Sequence, residues 1–440
     1  MKPSQALFWI VLALTLALGG CYAHNYSVSM RTVQQAVQSG DLEQAKQSIE
    51  KIPALKKTRN ALLYDLELGV LDHLNGDYAE SNQRLEQAVA LMEAQDAVRL
   101  SGLAAEWIFS ERFHPYWGED YERVLAHYYM ALNYLMMERL PEALVECRRC
   151  NTLLQRFNDR YEQKSVYKSD AFMLYLSGLI YDAMGELNDA LIDYRHAFEI
   201  YSSDYAEYYA TPLPLQLPEQ LLRTSAGLGF AEEFQDYQQQ FPEIRWNTQE
   251  EFRKSARLIV IWNKGFIPAK VQSVFRWRIG GDGLKQPGCV IRFAFPELRP
   301  RVERLAQAVV RVNGHNWNLE LAEELADIAR KNLEDRRLRS IMQASSRNII
   351  SCTAEQALED VHWIWGWIFA GAAELSQGAD LRHWSLLPAE IQITQLLLPP
   401  GKADLELCFK DHNGRLVQQA RYHKLDLQAG KSRFLIHRTF

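Results

Sequence analysis

The chain has 440 residues, with 49 basic and 55 acidic side chains, a formal net charge of −6 and a hydrophobic fraction of 48%. That size and apolar content suit two or three domains with sizeable cores. The mild acidity argues against a dedicated nucleic-acid binder, which needs a concentrated basic surface to displace counterions.

From Ala6 to Leu18 the chain is apolar apart from Thr15, and Lys2 precedes the run. This length suits a signal-peptide core and falls short of a bilayer span. The run ends in Leu18-Gly19-Gly20-Cys21, which resembles the lipobox of bacterial lipoproteins. The resemblance implies that residues 1–20 are a lipoprotein signal peptide and that Cys21 becomes the lipid-modified first residue. Tyr22 stands where inner-membrane lipoproteins commonly carry aspartate, so the expected address is the outer membrane, facing the periplasm. Five other cysteines remain, Cys147, Cys150, Cys289, Cys352 and Cys408. An odd number in an oxidising compartment excludes a full disulfide framework.

Self-similarity dominates residues 21–210. Four segments, "SGDLEQAKQSIEKI", "NGDYAESNQRLEQAVAL", "ERLPEALVECRRCNTLL" and "MGELNDALIDYRHAFEI", align Ala45, Ser81, Ala143 and Ala190, with Gly40, Gly76, Glu138 and Gly185 five residues upstream. A turn and then a small residue at fixed spacing predicts helical hairpins in close contact. Upstream helices carry Leu68-Gly69, Ala131 with Tyr134, and Gly178 with Tyr181. The pattern resembles the tetratricopeptide repeat, which implies an irregular solenoid whose groove binds a protein or peptide. Between the second and third units, Trp107, Phe109, Phe113, Tyr116 and Trp117 crowd around His114-Pro115. They read first as an irregular connection packed into the array, and otherwise as aromatic anchors for a partner. Trp107, Phe113, Tyr116, Trp117, Tyr134 and Tyr181 are the candidate partner-binding residues. Cys147 and Cys150 form a C-x-x-C on a helix with no strand before it. Two small buried residues one turn apart is the better reading than redox or zinc chemistry.

The tyrosine-rich "FEIYSSDYAEYYATPLPLQLP" marks a boundary, and residues 211–256 read as a helical connector or capping pair. From Arg257 the period changes. "RLIVIW", "VFRWRIGGDG", "CVIRFAFPEL" and "AVVRVNG" read as strands, the last closing on Asn313-Gly314. Residues 318–342 predict one helix, with Leu321, Leu325, Ile328 and Ala329 on a single face and a basic, solvated end. "HWIWGWIFAGAAEL", residues 362–375, is too short to span a bilayer and reads as a buried helix. Strands return to the C-terminus through turns at Pro400-Gly401 and Asn413-Gly414. Residues 257–440 are thus a mixed, β-rich domain with inserted helices, whose end resembles a small immunoglobulin-like sandwich.

The fold class is therefore α+β and multidomain, with an all-α tetratricopeptide-like solenoid first. Lipobox, helical array and the tail "ADLRHWSLLPAEIQITQLLLPPG" together resemble uncharacterised bacterial lipoproteins with such repeats. The resemblance implies no catalytic residues, and a setting beside proteins that activate cell-wall synthesis. No H-E-x-x-H, G-x-S-x-G, P-loop or dinucleotide fingerprint occurs, and the eleven histidines are scattered. The expected function is a non-enzymatic scaffold with envelope protein partners, a lipid anchor and no cofactor. The alternative is a glycan- or peptidoglycan-binding lipoprotein acting through the C-terminal domain.

Overall fold

The computed structural model describes residue 26 and residues 29–100, 115–160, 167–279, 289–335 and 379–440. Cys21, Trp107, Phe109, Phe113, Cys352 and the tryptophan-rich stretch 362–375 lie outside the described residues. The protein is an α+β chain in which an array of helical hairpins packs on a two-sheet β domain.

The array runs α1 (29–38), α2 (Leu42–Glu50), α3 (Ala61–Asn75), α4 (Tyr78–Leu100), α5 (Asp120–Met136), α6 (Leu140–Arg160), α7 (Ala171–Met184) and α8 (Leu187–Ile200). A π-turn over Tyr201–Tyr205 and the short α9 (Ala206–Tyr208) lead to α10 (Gln216–Leu228), α11 (Ala231–Gln240) and α12 (Gln249–Lys254). The aligned turn residues share one left-handed conformation, with φ 79° at Gly40, 87° at Gly76, 59° at Glu138 and 83° at Gly185. Each turn closes in the same way. The following N–H reaches back five residues, from Asp41 to Ala36, Asp77 to Asp72, Arg139 to Tyr134 and Glu186 to Tyr181. This double turn satisfies the last carbonyls of the first helix and reverses the chain.

Gly229, with φ 78°, and the Phe230 N–H to Ser225 bond repeat the turn between α10 and α11. The helical pair expected within 211–256 is thus a fifth hairpin of the same make, with Phe234 where the other four carry a small residue. Ala45, Ser81, Ala143 and Ala190 are fully buried. Ser81 can replace alanine because its hydroxyl donates to the Gly69 carbonyl at 2.7 Å. Gly69 and Gly178 mark the closest helix contacts: a Cβ at Gly178 would lie 2.5 Å from the Tyr194 ring.

The β domain contains β1 (Ala256–Lys264), β2 (Ala269–Ile279), β3 (Cys289–Arg299), β4 (Gln307–Val312), β5 (His315–Asn318), β6 (Glu320–Glu324), a helix α13 (325–335), β7 (Glu390–Leu398), β8 (Gly401–Lys410), β9 (Leu416–Leu427) and β10 (Ser432–Thr439). One four-stranded sheet has the order β10-β1-β7-β6, with β10 parallel to β1, a second the order β5-β4-β8-β9, and β2 and β3 form a two-stranded sheet. The single helix expected over 318–342 is corrected here. Its first residues close β5 and form β6, because Glu320, Leu321, Glu323 and Glu324 pair with β7. Helix begins only at Leu325, so Leu321 belongs to a sheet while Leu325, Ile328 and Ala329 are buried on α13. Tertiary pairing overrode a helical pattern.

The continuous apolar run of β1 follows from burial on both faces. Leu258, Val260 and Trp262 join Leu407 and Phe409 between the two sheets, while Ile259 and Ile261 join the helical core. The molecule therefore has three layers: helices, the β1 sheet, and the β8 sheet. Tyrosines bind the first two layers together. Tyr128 donates to Asn263 at 2.8 Å and Tyr201 to the Ala322 carbonyl at 2.7 Å. No described helix is long and apolar enough to cross a membrane.

Candidate functional site

The inner face of the array is lined by the first helix of each hairpin, and it is filled by the chain's own residues 379–389. α7, "AFMLYLSGLIYDAM", is buried from Ala171 to Asp182, as a helix apolar on all sides must be. The second helices are amphipathic and leave an outer face to solvent.

Residues 382–387 cross the inner face as an irregular strap, and groups from the rest of the molecule satisfy its backbone. Glu67 of α3 accepts the Ser385 N–H at 2.7 Å and the Leu386 N–H at 3.2 Å. Glu122 of α5 accepts the Trp384 N–H at 2.7 Å. The Tyr26 hydroxyl donates to the His383 carbonyl at 2.7 Å, and the Gln34 amide to the Ser385 carbonyl at 2.9 Å. Lys270 donates to the Arg382 carbonyl at 3.2 Å, Arg438 to the Leu386 carbonyl at 3.0 Å, and the Ile267 N–H to the Leu387 carbonyl at 2.9 Å. A buried segment without regular structure requires such partners for each polar group. Trp384 is fully buried, its ring centroid 5.7 Å from that of Tyr129.

The electrostatics follow from burial. Burial pushes the Glu67 carboxyl up to about 7, against the strap N–H groups that favour its ionised form. Burial also raises Glu122, while Lys270 opposes the rise. His383 is pushed down to about 3 and His73 to about 4, both chiefly by burial, so neither carries charge at neutral pH. Asp182 sits where α7, α10 and β1 meet. Burial alone would raise its carboxyl, but Arg257, 2.6 Å away, and Arg223 outweigh that and hold it below the usual range.

A second buried carboxylate pair, Asp170 and Glu323, is raised by burial. Tyr167, Tyr201 and Tyr205, each at most 1% exposed, close around it. Both carboxylates are themselves 1% exposed. Cys147 and Cys150 are free and fully buried, and burial pushes both thiols well above their ordinary value. A thiol of that kind is neither a nucleophile nor a metal ligand. Among the described residues no cluster of three metal-ligating side chains occurs.

The candidate contact residues separate. Tyr116 is buried, donates to Glu122 and lies under the Arg382 guanidinium at 5.4 Å. It is part of the wall behind the strap, and a partner cannot reach it. Tyr181 is also buried, accepting from Arg148 Nε at 3.1 Å. Tyr134 is half-buried beneath Arg139, and Trp117 is half-buried. Glu67, Glu122, Gln34 and Asn60, which hold the strap, went unnoticed in the sequence. Their one local signal is an acid or amide within an apolar helical run, as Glu67 is, with Asp65, in "ALLYDLELGVL".

The outer face holds a cleft of about 350 Å³ between α4 and α6, floored by α5. Arg149 bridges Glu86 at 2.6 Å, and His127 meets Glu146 at 2.8 Å. Arg123 pairs with Asp96 at 2.7 Å. Val145 on its rim is 45% exposed.

No family model matches the chain, and no curated protein matches it. Several solved structures resemble its helical part. MamA is 19% identical over 48% of this chain and 92% of its own, with a TM-score of 0.31. A putative kinesin light chain from Podosopora anserina, described as having nearly identical TPR-like repeats, is 17% identical over 50% of this chain and 94% of its own, at a TM-score of 0.32. The apo form of RapI is 10% identical over 49% of this chain and 68% of its own, at a TM-score of 0.35.

Proposed function

We propose that the protein is a non-enzymatic scaffold, lipid-anchored through Cys21 in the outer membrane and facing the periplasm, which holds an envelope protein on the outer face of its helical array. The observation that carries this reading is the occupied inner groove. An array of hairpins offers two long faces, and here the inner one is closed by residues 382–387 and the β1 sheet. Among the described residues nothing covers the outer face, and its cleft between α4 and α6 joins apolar Val89, Val145 and Leu153 to paired charges. Such a mixed, concave surface suits a protein partner more than a small apolar ligand. The lipobox resemblance supports the anchor, and the likeness to repeat-bearing lipoproteins supports a place in cell-wall synthesis or envelope assembly.

Photoreactive residues at Val145 and Thr152 test the partner site. They should capture one partner, and Arg149→Glu, at the same cleft, should abolish that capture. Capture from the inner face alone, or capture indifferent to Arg149→Glu, would sink the proposal. Cys21→Ser should move the protein from the membrane fraction to the soluble periplasm, and unchanged partition would refute the anchor.

A further inference from the structure

The buried cations Arg223 and Arg257 share Asp182, while Lys270 meets Glu119, Arg382 meets Asp380 and Arg123 meets Asp96. Two half-buried arginines depart from that pattern. Arg301, in the loop between β3 and β4, and Arg438, near the end of β10, form no ion pair with a carboxylate among the described residues.

Both guanidinium groups are held at one aromatic ring. Arg301 lies 5.4 Å and Arg438 5.7 Å from the centroid of Phe266, which is buried and stacks on Phe440 at 4.7 Å. Each also gives a hydrogen bond to the strap or to the side chain that holds it. Arg301 Nη1 donates to Gln34 at 2.9 Å, whose amide in turn holds the Ser385 carbonyl, and Arg438 Nη2 donates to the Leu386 carbonyl at 3.0 Å. Arg301 Nε, Arg438 Nε and Arg438 Nη1 are buried with no acceptor. Stacking on aromatic faces offsets part of the cost of burying a cation. It leaves three N–H groups and two positive charges without a complement.

The surrounding charges do not supply one. Burial pushes both guanidinium groups below their ordinary range. Glu303 acts electrostatically on both without an ion pair to either, because its carboxylate is lodged against Gly265, where a Cβ would lie 2.5 Å from it. Glu67 also acts on Arg301, but its oxygens accept the Ser385 and Leu386 N–H groups. The exposed Arg31 adds a further positive charge beside Arg301. Around Arg438, Tyr128 and Tyr129 are neutral phenols raised by burial, and His73 is neutral at pH 7. The site is therefore net positive.

We propose that Arg301 and Arg438 form a binding site for a phosphate-class oxyanion, taken either free or as a phosphomonoester. Guanidinium forks match the oxygen geometry of phosphate, and such an anion supplies both the missing acceptors and the missing counter-charge. Water supplies acceptors alone. The neighbouring Val302 is fully exposed, so the loop that carries Arg301 lies at the surface. A bound anion ties that loop to β10 beside the strap.

Calorimetric titration of the full chain, purified in mild detergent, with inorganic phosphate tests the site. Phosphate should bind saturably and acetate more weakly. Arg301→Gln removes one charge-assisted contact and should weaken phosphate binding about tenfold or more. Glu303→Gln keeps both arginines and removes the opposing acid, so it should tighten binding about fivefold. That gain cannot come from a folding defect. Arg245→Gln, at an exposed position elsewhere, should leave the affinity unchanged. Phenyl phosphate binding more tightly than inorganic phosphate would mark a phosphomonoester as the ligand, and equal or weaker binding the free anion. Absence of saturable binding by both phosphates, equal affinity for acetate, unchanged affinity in Arg301→Gln, or no gain in Glu303→Gln would overturn the proposal. None of these outcomes bears on crosslinking at Val145, so the scaffold reading stands or falls separately.

Discussion

The two long faces of the helical array are built from different helices, the largely apolar first helix of each hairpin inside and the amphipathic second outside, and have opposite fates. On the inner face Trp384, Tyr129, Tyr175 and Leu176 are fully buried, and polar groups such as Glu67 and Asp182 are committed to strap backbone or to arginines. On the outer face Val145 and Ile192 remain 45% and 37% exposed, and the Arg149–Glu86 pair is open to water. A repeat array does not by itself say which face is for partners. Here the chain has used one face as an interior and left the other as a surface.

The sharpest way to break that comparison is at Asp182. Asp182→Ala leaves Arg223 and Arg257 buried without a counter-charge, and should destabilise the fold by roughly 3–5 kcal/mol in denaturant unfolding. Removing the exposed pair Arg149–Glu86 on the outer face should cost well under about 1 kcal/mol. Comparable losses at the two sites would erase the distinction between the faces.

Glu67 sharpens it through pH. In the folded chain its carboxyl keeps a proton up to about pH 7, whereas an unfolded glutamate near 4.5 has already lost its own. The fold therefore binds more protons than the unfolded chain in this window. The contribution is fully present below pH 4.5 and is lost as pH rises through about 7, a total of about 3 kcal/mol. Relative to Glu67→Gln, the parent chain should lose stability across that range in urea melts, and parallel curves would contradict the assignment.

Smaller effects concern the hairpins. Gly178→Ala places a methyl against the Tyr194 ring and should cost about 1–3 kcal/mol by overpacking, while Val145→Ser on the outer face should stay within about 0.5 kcal/mol. Glu138 is the one non-glycine among the four aligned turns, held at φ 59°. Glu138→Gly should raise stability by about 1 kcal/mol by relieving that conformation. A fall in melting temperature would show that the glutamate side chain has a compensating contact.

Much of the fold was legible because its signals are local. Each hairpin turn depends on one left-handed residue and the buried small residue five positions on, so Gly40, Gly76 and Gly185 announce themselves. Strands at 257–262, 308–312 and 405–409 alternate or run apolar, and Asn313-Gly314 and Asn413-Gly414 fall at the turns that join strands. The helix expected at 318–342 failed where cross-strand pairing with β7 outweighed local period. The α10–α11 pair was legible as a helical connector or capping pair, but its kinship with the other hairpins was not, because Phe234 stands where they carry a small residue.

The site was far less legible. Glu67 and the Ser385 N–H it accepts are 318 residues apart in the chain, and no composition or spacing rule links an acid on one helix to a backbone amide in a distant loop. Tyr116 reads from sequence either as part of a packed connection or as a partner anchor, because aromatic residues serve equally well in cores and interfaces. Burial alone separates the two.

The sequence by itself determined the repeats, their turns, the α+β order of the domains and the alternating strands, since these arise from backbone conformation and from hydrophobic period within a few residues. The tertiary structure alone decided what fills the inner face of the array, which carboxylates hold a strap and which pair with arginine, and that β2 and β3 pair as a sheet of their own among the described residues. Those outcomes depend on desolvation and on long-range hydrogen bonds, which exist only once distant segments are brought together.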